Sequence, residues 1–222
     1  MRIVLFEALI ETHVRDSLAR ALMARGHEVL APPAVWQGST YPNNAADKAR
    51  CAAAMMGALA WQPDVLLNFR PSSMTTDDLA LVRARGITSV IWLSDDPVLY
   101  QSTYRETVDA YDLVLNCGDA HILDFYTRKH GIIGVNFPFW TDTVACPRAA
   151  GPKLFDAAFL GNCFGDVRAN RYDLIGGLPG TVRIFGQVDS DPQGLSAGYE
   201  KDHAALMQKL GGARFGFNVP QV

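Results

Sequence analysis

Ser89-Val90-Ile91-Trp92-Leu93-Ser94-Asp95-Asp96-Pro97 runs from an unbroken apolar stretch straight into two adjacent carboxylates and a proline. An apolar run without polar alternation fits a strand covered on both faces, as in a parallel sheet flanked by helices. In open sheets of that kind, ligands bind in the crevice beyond the carboxyl ends of the strands. Asp95 and Asp96 would emerge at such an edge, and the rest of the chain can be arranged around it.

Outward from that strand one local grammar recurs: a helix ending in a basic residue and a glycine, followed by an apolar strand. It appears at Ala24-Arg25-Gly26-His27-Glu28-Val29-Leu30, at Ala84-Arg85-Gly86-Ile87-Thr88-Ser89-Val90 and at Lys129-His130-Gly131-Ile132-Ile133-Gly134-Val135. The glycine suits the left-handed residue after a helix, and the cation suits the negative end of the helix dipole. Strand and helix therefore alternate, which argues for an α/β fold with right-handed crossovers.

The first unit reads as strand 2–9, a helix over 11–25 with Val14, Leu18, Ala21 and Leu22 inward, and strand 27–32. A polar loop over 32–44 follows, then a helix over 45–61 and a strand over 64–69. Thr75-Thr76-Asp77-Asp78 caps the next helix. A strand over 113–117, a helix over 119–129 and a sixth strand over 132–137 complete a doubly wound, Rossmann-like lobe over 1–142. Residues 143–153, with their prolines, alanines and glycine, read as a linker. A partial second lobe over 154–222 offers three strands and two helices.

Bulk properties exclude several function classes. The 222 residues carry 20 basic and 23 acidic side chains mixed along the chain, a net charge of -3, so no field favours nucleic acid or an anionic membrane. With 49% hydrophobic residues the chain can bury a sizeable core. Met1 to Glu7 is too short for a signal peptide or membrane span, so a cytoplasmic location is expected. The four cysteines, Cys51, Cys117, Cys146 and Cys163, show no paired short spacing, which points to reduced thiols.

The order of motifs resembles the CgeB-like (spore-maturation type) glycosyltransferases, which adopt the GT-B architecture of two facing Rossmann-like lobes. The matching pieces are Thr12-His13-Val14, Gly26-His27-Glu28-Val29, Pro63-Asp64-Val65, Trp92-Leu93-Ser94-Asp95-Asp96-Pro97 and Tyr111-Asp112-Leu113-Val114. Phe137-Pro138-Phe139 with Asp142 follows, then Phe155-Asp156-Ala157-Ala158-Phe159-Leu160-Gly161-Asn162, then Arg171 with Leu174 and Leu178, and Val182-Arg183-Ile184-Phe185-Gly186. The resemblance implies a nucleotide-sugar donor held by the second lobe, an acceptor held by the first, transfer in the cleft between lobes, and no cofactor beyond the donor. The family continues past the point where this chain stops, including the acidic segment that grips the nucleotide ribose. The second lobe is therefore expected to be incomplete, with uncovered strand edges near 213–219 that invite a homodimer.

Within that frame Asp95 is the candidate general base and His13, just past the first strand, a second catalytic candidate. Asp96 has two readings: an acceptor contact, or the N-cap of a helix running toward Tyr104, since Asp before Pro is a helix-start pairing. Asn68 and Arg70 leave the third strand and Asn116 leaves the fifth, so they are acceptor-binding candidates. Gly161 and Asn162 at a strand end, with Arg168 and Arg171 beyond, form a candidate diphosphate cradle. His27 and His130 lie at the opposite edge and read as structural. No metal site is expected, because Asp189-Ser190-Asp191 reads as turn chemistry. Two other readings stay open: a non-catalytic binding or assembly module of the same fold, and a sugar-nucleotide epimerase.

Overall fold

Apolar residues on both faces of a strand need helices on both sides, and the crossovers that bring strands back in parallel supply them. The computed structural model describes residues 1–6, 13–33, 45–69, 74–94, 96, 100–138, 151–163, 169–200 and 203–217. The chain divides into two compact units, Met1–Trp140 and Thr141–Val222.

The first unit is built on strands β1 (Arg2–Phe6), β2 (Glu28–Leu30), β3 (Val65–Asn68), β4 (Thr88–Leu93), β5 (Leu113–Asn116) and β6 (Ile133–Asn136). They form one sheet in the order β2-β1-β3-β4-β5-β6, and every neighbouring pair is parallel. Helices α1 (His13–Ala24), α2 (Ala45–Ala60), α3 (Thr76–Ala84) and α4 (Ala120–His130) connect them. Alternate residues point to opposite faces, so Val4, Phe6, Leu66, Ile91 and Leu93 pack with α2 and α3. Ile3, Leu5, Leu67, Val90 and Trp92 pack on the other side with α1. The opening strand is thus buried on both faces, as its sequence requires.

The glycine grammar is realised at all three places. Gly26, Gly86 and Gly131 have φ of 84°, 69° and 67°, the left-handed backbone that ends a helix without a Cβ penalty. A second device, the aspartate just before a strand, sets register. Asp64 accepts from the Arg2 backbone N–H at 2.7 Å, and Asp112 accepts from the Ser89 N–H at 2.8 Å and its hydroxyl at 2.7 Å. In the second unit Asp156, the second residue of its strand rather than the one before it, accepts from the Thr181 N–H at 2.9 Å. Each carboxylate locks the neighbouring strand against a one-residue slip, which would turn a core face to water.

Two expectations are corrected. On α1, Arg15, Ser17, Leu18, Ala19 and Leu22 are buried or half-buried, but Ala21 is exposed, and the side chain of Val14 lies outside the described residues. Arg15 is buried because its guanidinium donates to the Pro32 carbonyl at 2.5 Å and lies beside Asp16. The crossover from β4 to β5 holds no α-helix among the described residues: a π-helical turn, Tyr100–Tyr104, is followed by a 3-10 turn, Val108–Ala110. Strand order reverses between β1 and β3, so the topological switch point lies beside Phe6 and Asn68, one strand away from the end of β4.

The second unit holds β7 (Phe155–Leu160), α5 (Ala169–Gly176), β8 (Val182–Phe185), α6 (His203–Leu210) and β9 (Ala213–Phe217). Its sheet is parallel with β7 central, in the order β8-β7-β9. The outer edge of β8 is covered by the returning loop: Ile184 N–H donates to the Leu195 carbonyl at 2.9 Å, and Ala197 N–H to the Ile184 carbonyl at 2.8 Å. Among the described residues the outer edge of β9 has no such cover. No helix among the described residues is long and apolar enough to cross a membrane.

Candidate functional site

The carboxyl ends of β3, β4 and β5 carry Asn68, Asp96 and Asn116, and all three side chains turn inward. Asn68 is fully buried, and its amide donates to the Tyr111 hydroxyl at 2.6 Å. Burial pushes the Tyr111 phenol well above its ordinary range, with the Asn68 bond acting the other way. Asn116 is also fully buried; its oxygen accepts from the Gly118 N–H at 2.5 Å, which leaves its amide nitrogen to donate to Asp96 Oδ2 at 2.6 Å. Both polar groups of the Asn116 side chain and the amide nitrogen of Asn68 thus bond to other side chains or backbone of the same unit.

Asp96 is the hub of that interior. Besides Asn116, it accepts from the Tyr126 hydroxyl at 2.8 Å and, through Oδ1, from the Tyr104 hydroxyl. Both tyrosines are buried, and burial first, then the bond to Asp96, raises their phenol pKa values far above the ordinary range. They remain protonated donors at any physiological pH. The expected cap bonds of Asp96 would go to residues 97–99, outside the described residues. Tyr100, one turn before Tyr104, bonds to His130 Nε2 at 2.7 Å, and His130 Nδ1 meets Asp109. A carboxylate accepts only, so with neutral imidazole the proton sits on Nδ1 and the Tyr100 hydroxyl donates to Nε2.

From sequence, the Tyr100 and Tyr126 side chains carry no role, and Tyr104 and Tyr111 enter only as the end of a helix and as part of a motif. A buried phenol needs a polar partner. That requirement is the signal that points back to Asp96, Asn68 and His130.

Of the other first-unit candidates, Asp95 and Arg70 lie outside the described residues. His13 opens α1, just beyond the switch-point strand β1, and its side chain likewise lies outside them. His121 sits exposed in the first turn of α4, where Asp119 caps the helix by accepting from the His121 and Ile122 N–H groups.

In the second unit the strand-end candidates do meet. Gly161 and Asn162 follow β7, and Gly161 N–H donates to the Phe185 carbonyl at 3.1 Å. Asn162 Oδ1 accepts from the Gln187 N–H at 3.1 Å. A Cβ on Gly186 would overlap the Gly161 carbonyl oxygen, so only glycine permits this backbone approach at the ends of β7 and β8. Arg171, from α5, donates through Nη1 to the Asn162 carbonyl at 3.3 Å and places its guanidinium 5.9 Å from the centroid of Phe159. Its Nε is buried and has no hydrogen-bond partner among the described residues. Arg168 lies outside the described residues. Nearby, burial raises the pKa of the Cys163 thiol while the Arg171 charge opposes it, so this buried cysteine is an inert neighbour.

Asp191 is turn chemistry, as expected. It accepts from the Tyr172 hydroxyl at 2.6 Å and from the N–H groups of Leu195 and Ser196 at 2.7 and 3.1 Å. Among the described residues no group of three or more His, Cys, Asp or Glu side chains comes together to hold a metal ion.

A groove of about 600 Å³ lies at the opposite edge of the first sheet, between Leu59, Gln62, Asp64, Arg85 and Ile87. That edge gathers the carboxyl ends of α2 and α3, whose free carbonyls repel anions. On this physical ground the strand-end residues, and not the groove, are the candidate anion site. No protein-family model matches the chain, and no curated protein matches it.

Proposed function

We propose that this protein is a glycosyltransferase of the two-lobed GT-B kind, with the second unit binding the diphosphate of a nucleotide-sugar donor and the first unit serving the acceptor. The observation that supports it best is Arg171: a guanidinium whose buried Nε is unpartnered among the described residues, near the carboxyl end of a parallel strand and two small residues, Gly161 and Gly186. A buried cationic donor lacking an acceptor suits an anionic oxygen, and guanidinium geometry suits phosphate. Two all-parallel sheets in series support the same reading. In it, Asp95 is the candidate base and His13 a candidate contact at the switch point, as the motif order implies.

Calorimetric titration of the full chain with UDP, GDP and their glucose and mannose conjugates tests this. Binding of one nucleotide is expected, weakened by roughly ten-fold or more in Arg171→Ala through loss of a charge-assisted hydrogen bond. Turnover of the bound conjugate, lost in Asp95→Ala, completes the case. No binding of any member would overturn the reading.

A second reading, a binding module without catalysis, is favoured by one observation: Asn68, Asp96 and Asn116 all spend their side chains on internal partners. Tight nucleotide binding with no turnover would select it.

A further inference from the structure

We propose that Asp96 is a positioning residue: gripped by Tyr104, Tyr126 and Asn116, it is the internal anchor of the turn that leaves β4, and it works from behind the substrate crevice. The three donors come from three different elements, the π-helical turn, α4 and the end of β5, and all three residues are buried. A carboxylate held by donors on separate elements cannot follow one of them without breaking with the others, so its backbone is fixed relative to the sheet. The donor set is itself fixed. The Asn116 amide is oriented by the Gly118 N–H, and a Cβ on Gly118 would lie 2.7 Å from the Asn116 oxygen, so glycine is needed for that contact.

The π-helical turn explains how a crossover without an α-helix delivers Tyr104. Its closing bond, Arg105 N–H to the Tyr100 carbonyl at 3.0 Å, spans five residues. The rings of Tyr100 and Tyr104 meet edge to face with centroids 5.9 Å apart, and each hydroxyl has its own acceptor, His130 for one and Asp96 for the other. Such π turns are frequent at functional sites. The sequence neighbour of the anchored residue is Asp95, the candidate base on the transferase reading, so anchoring Asp96 fixes one end of the peptide bond they share.

Only the catalytic arm of the test rests on the transferase reading. The first arm needs no activity. Carboxylates of the full chain are labelled with carbodiimide and glycine ethyl ester, and the rate at each aspartate is read by peptide mass spectrometry. Asp96 should label roughly ten-fold more slowly than exposed Asp173, a ratio that one charge-assisted hydrogen bond supplies. Tyr104→Phe and Tyr126→Phe should each speed labelling of Asp96. Tyr100→Phe, in the same turn but bonded to His130, should leave it unchanged, which separates anchoring from general loosening. Asp96 labelling as fast as Asp173, or responding equally to all three variants, overturns the proposal.

The second arm measures turnover of the nucleotide-sugar conjugate that binds. Tyr104→Phe should lower kcat several-fold with KM unmoved, whereas Tyr100→Phe, which loses the bond to His130, should change kcat by less than about two-fold. Equal losses in the two variants overturn it. If the wild type turns over no conjugate while labelling behaves as expected, the transferase reading fails and the anchor stands.

Discussion

Asp96 and Asp191 solve the same local problem in opposite ways. Each follows a parallel strand, and each accepts a hydrogen bond from a buried tyrosine on a neighbouring helix, Tyr126 for one and Tyr172 for the other. Asp191 then turns to its own loop, taking the backbone N–H groups four and five residues ahead. Asp96 takes side-chain donors that lie 8, 20 and 30 residues away. A local acceptor shapes one turn, whereas a long-range one ties separate elements together. The first costs little to lose, and the second leaves several buried donors stranded.

The sharpest way to break this contrast is Asp96→Ala. Three buried donors would lose their acceptor, so a loss on the order of 3 kcal/mol or more is expected. Hydrogen exchange should place it in residues 100–138 and leave 155–217 protected as before. Equal loosening of both units would show that Asp96 does not act within its own unit.

A smaller effect is expected for Asp191→Asn, and pH gives it a sign. The Tyr172 hydroxyl, and then the Ser196 and Leu195 amides, hold the Asp191 carboxyl below its ordinary range against the opposing effect of burial. A carboxyl with a depressed folded pKa contributes stability above its unfolded pKa of about 4 and loses it as the pH falls through the folded value. The melting difference between wild type and Asp191→Asn should be full near about pH 6 and fade below about pH 4. A difference that grows in acid would refute the assignment. Smallest of all is Ser196→Ala, which spares the N–H that Asp191 accepts and removes only the hydroxyl bonded by Gly198 N–H at 3.2 Å. Chemical denaturation should register less than about 0.5 kcal/mol.

The same contrast marks what could be read from the chain alone. Local chemistry was legible: the glycines at 26, 86 and 131, the capping box at Thr75 and Asp78, and the turn at Asp191 lie where their residue types require. The six parallel strands of the first unit followed from alternating apolar runs. Long-range partnership was not legible. Nothing in the spacing of Asn68 and Tyr111 announces a bond across 43 residues, and Arg15 departs from its usual place at the surface because one carbonyl at Pro32 waits for it. Strand order is a long-range property too. It puts the switch point at β1 and β3, where His13 opens the helix after β1 and where Arg70, outside the described residues, follows in sequence.

The loop that returns along β8 has a consequence for how this molecule can associate. A sheet with two bare edges has a valence of two, and copies joined through it extend without limit. With Leu195–Ala197 seated on one side, the second unit's sheet keeps, among the described residues, a valence of one at β9. A further strand joining on the β8 side would have to displace this strap, which blunts that edge as a template.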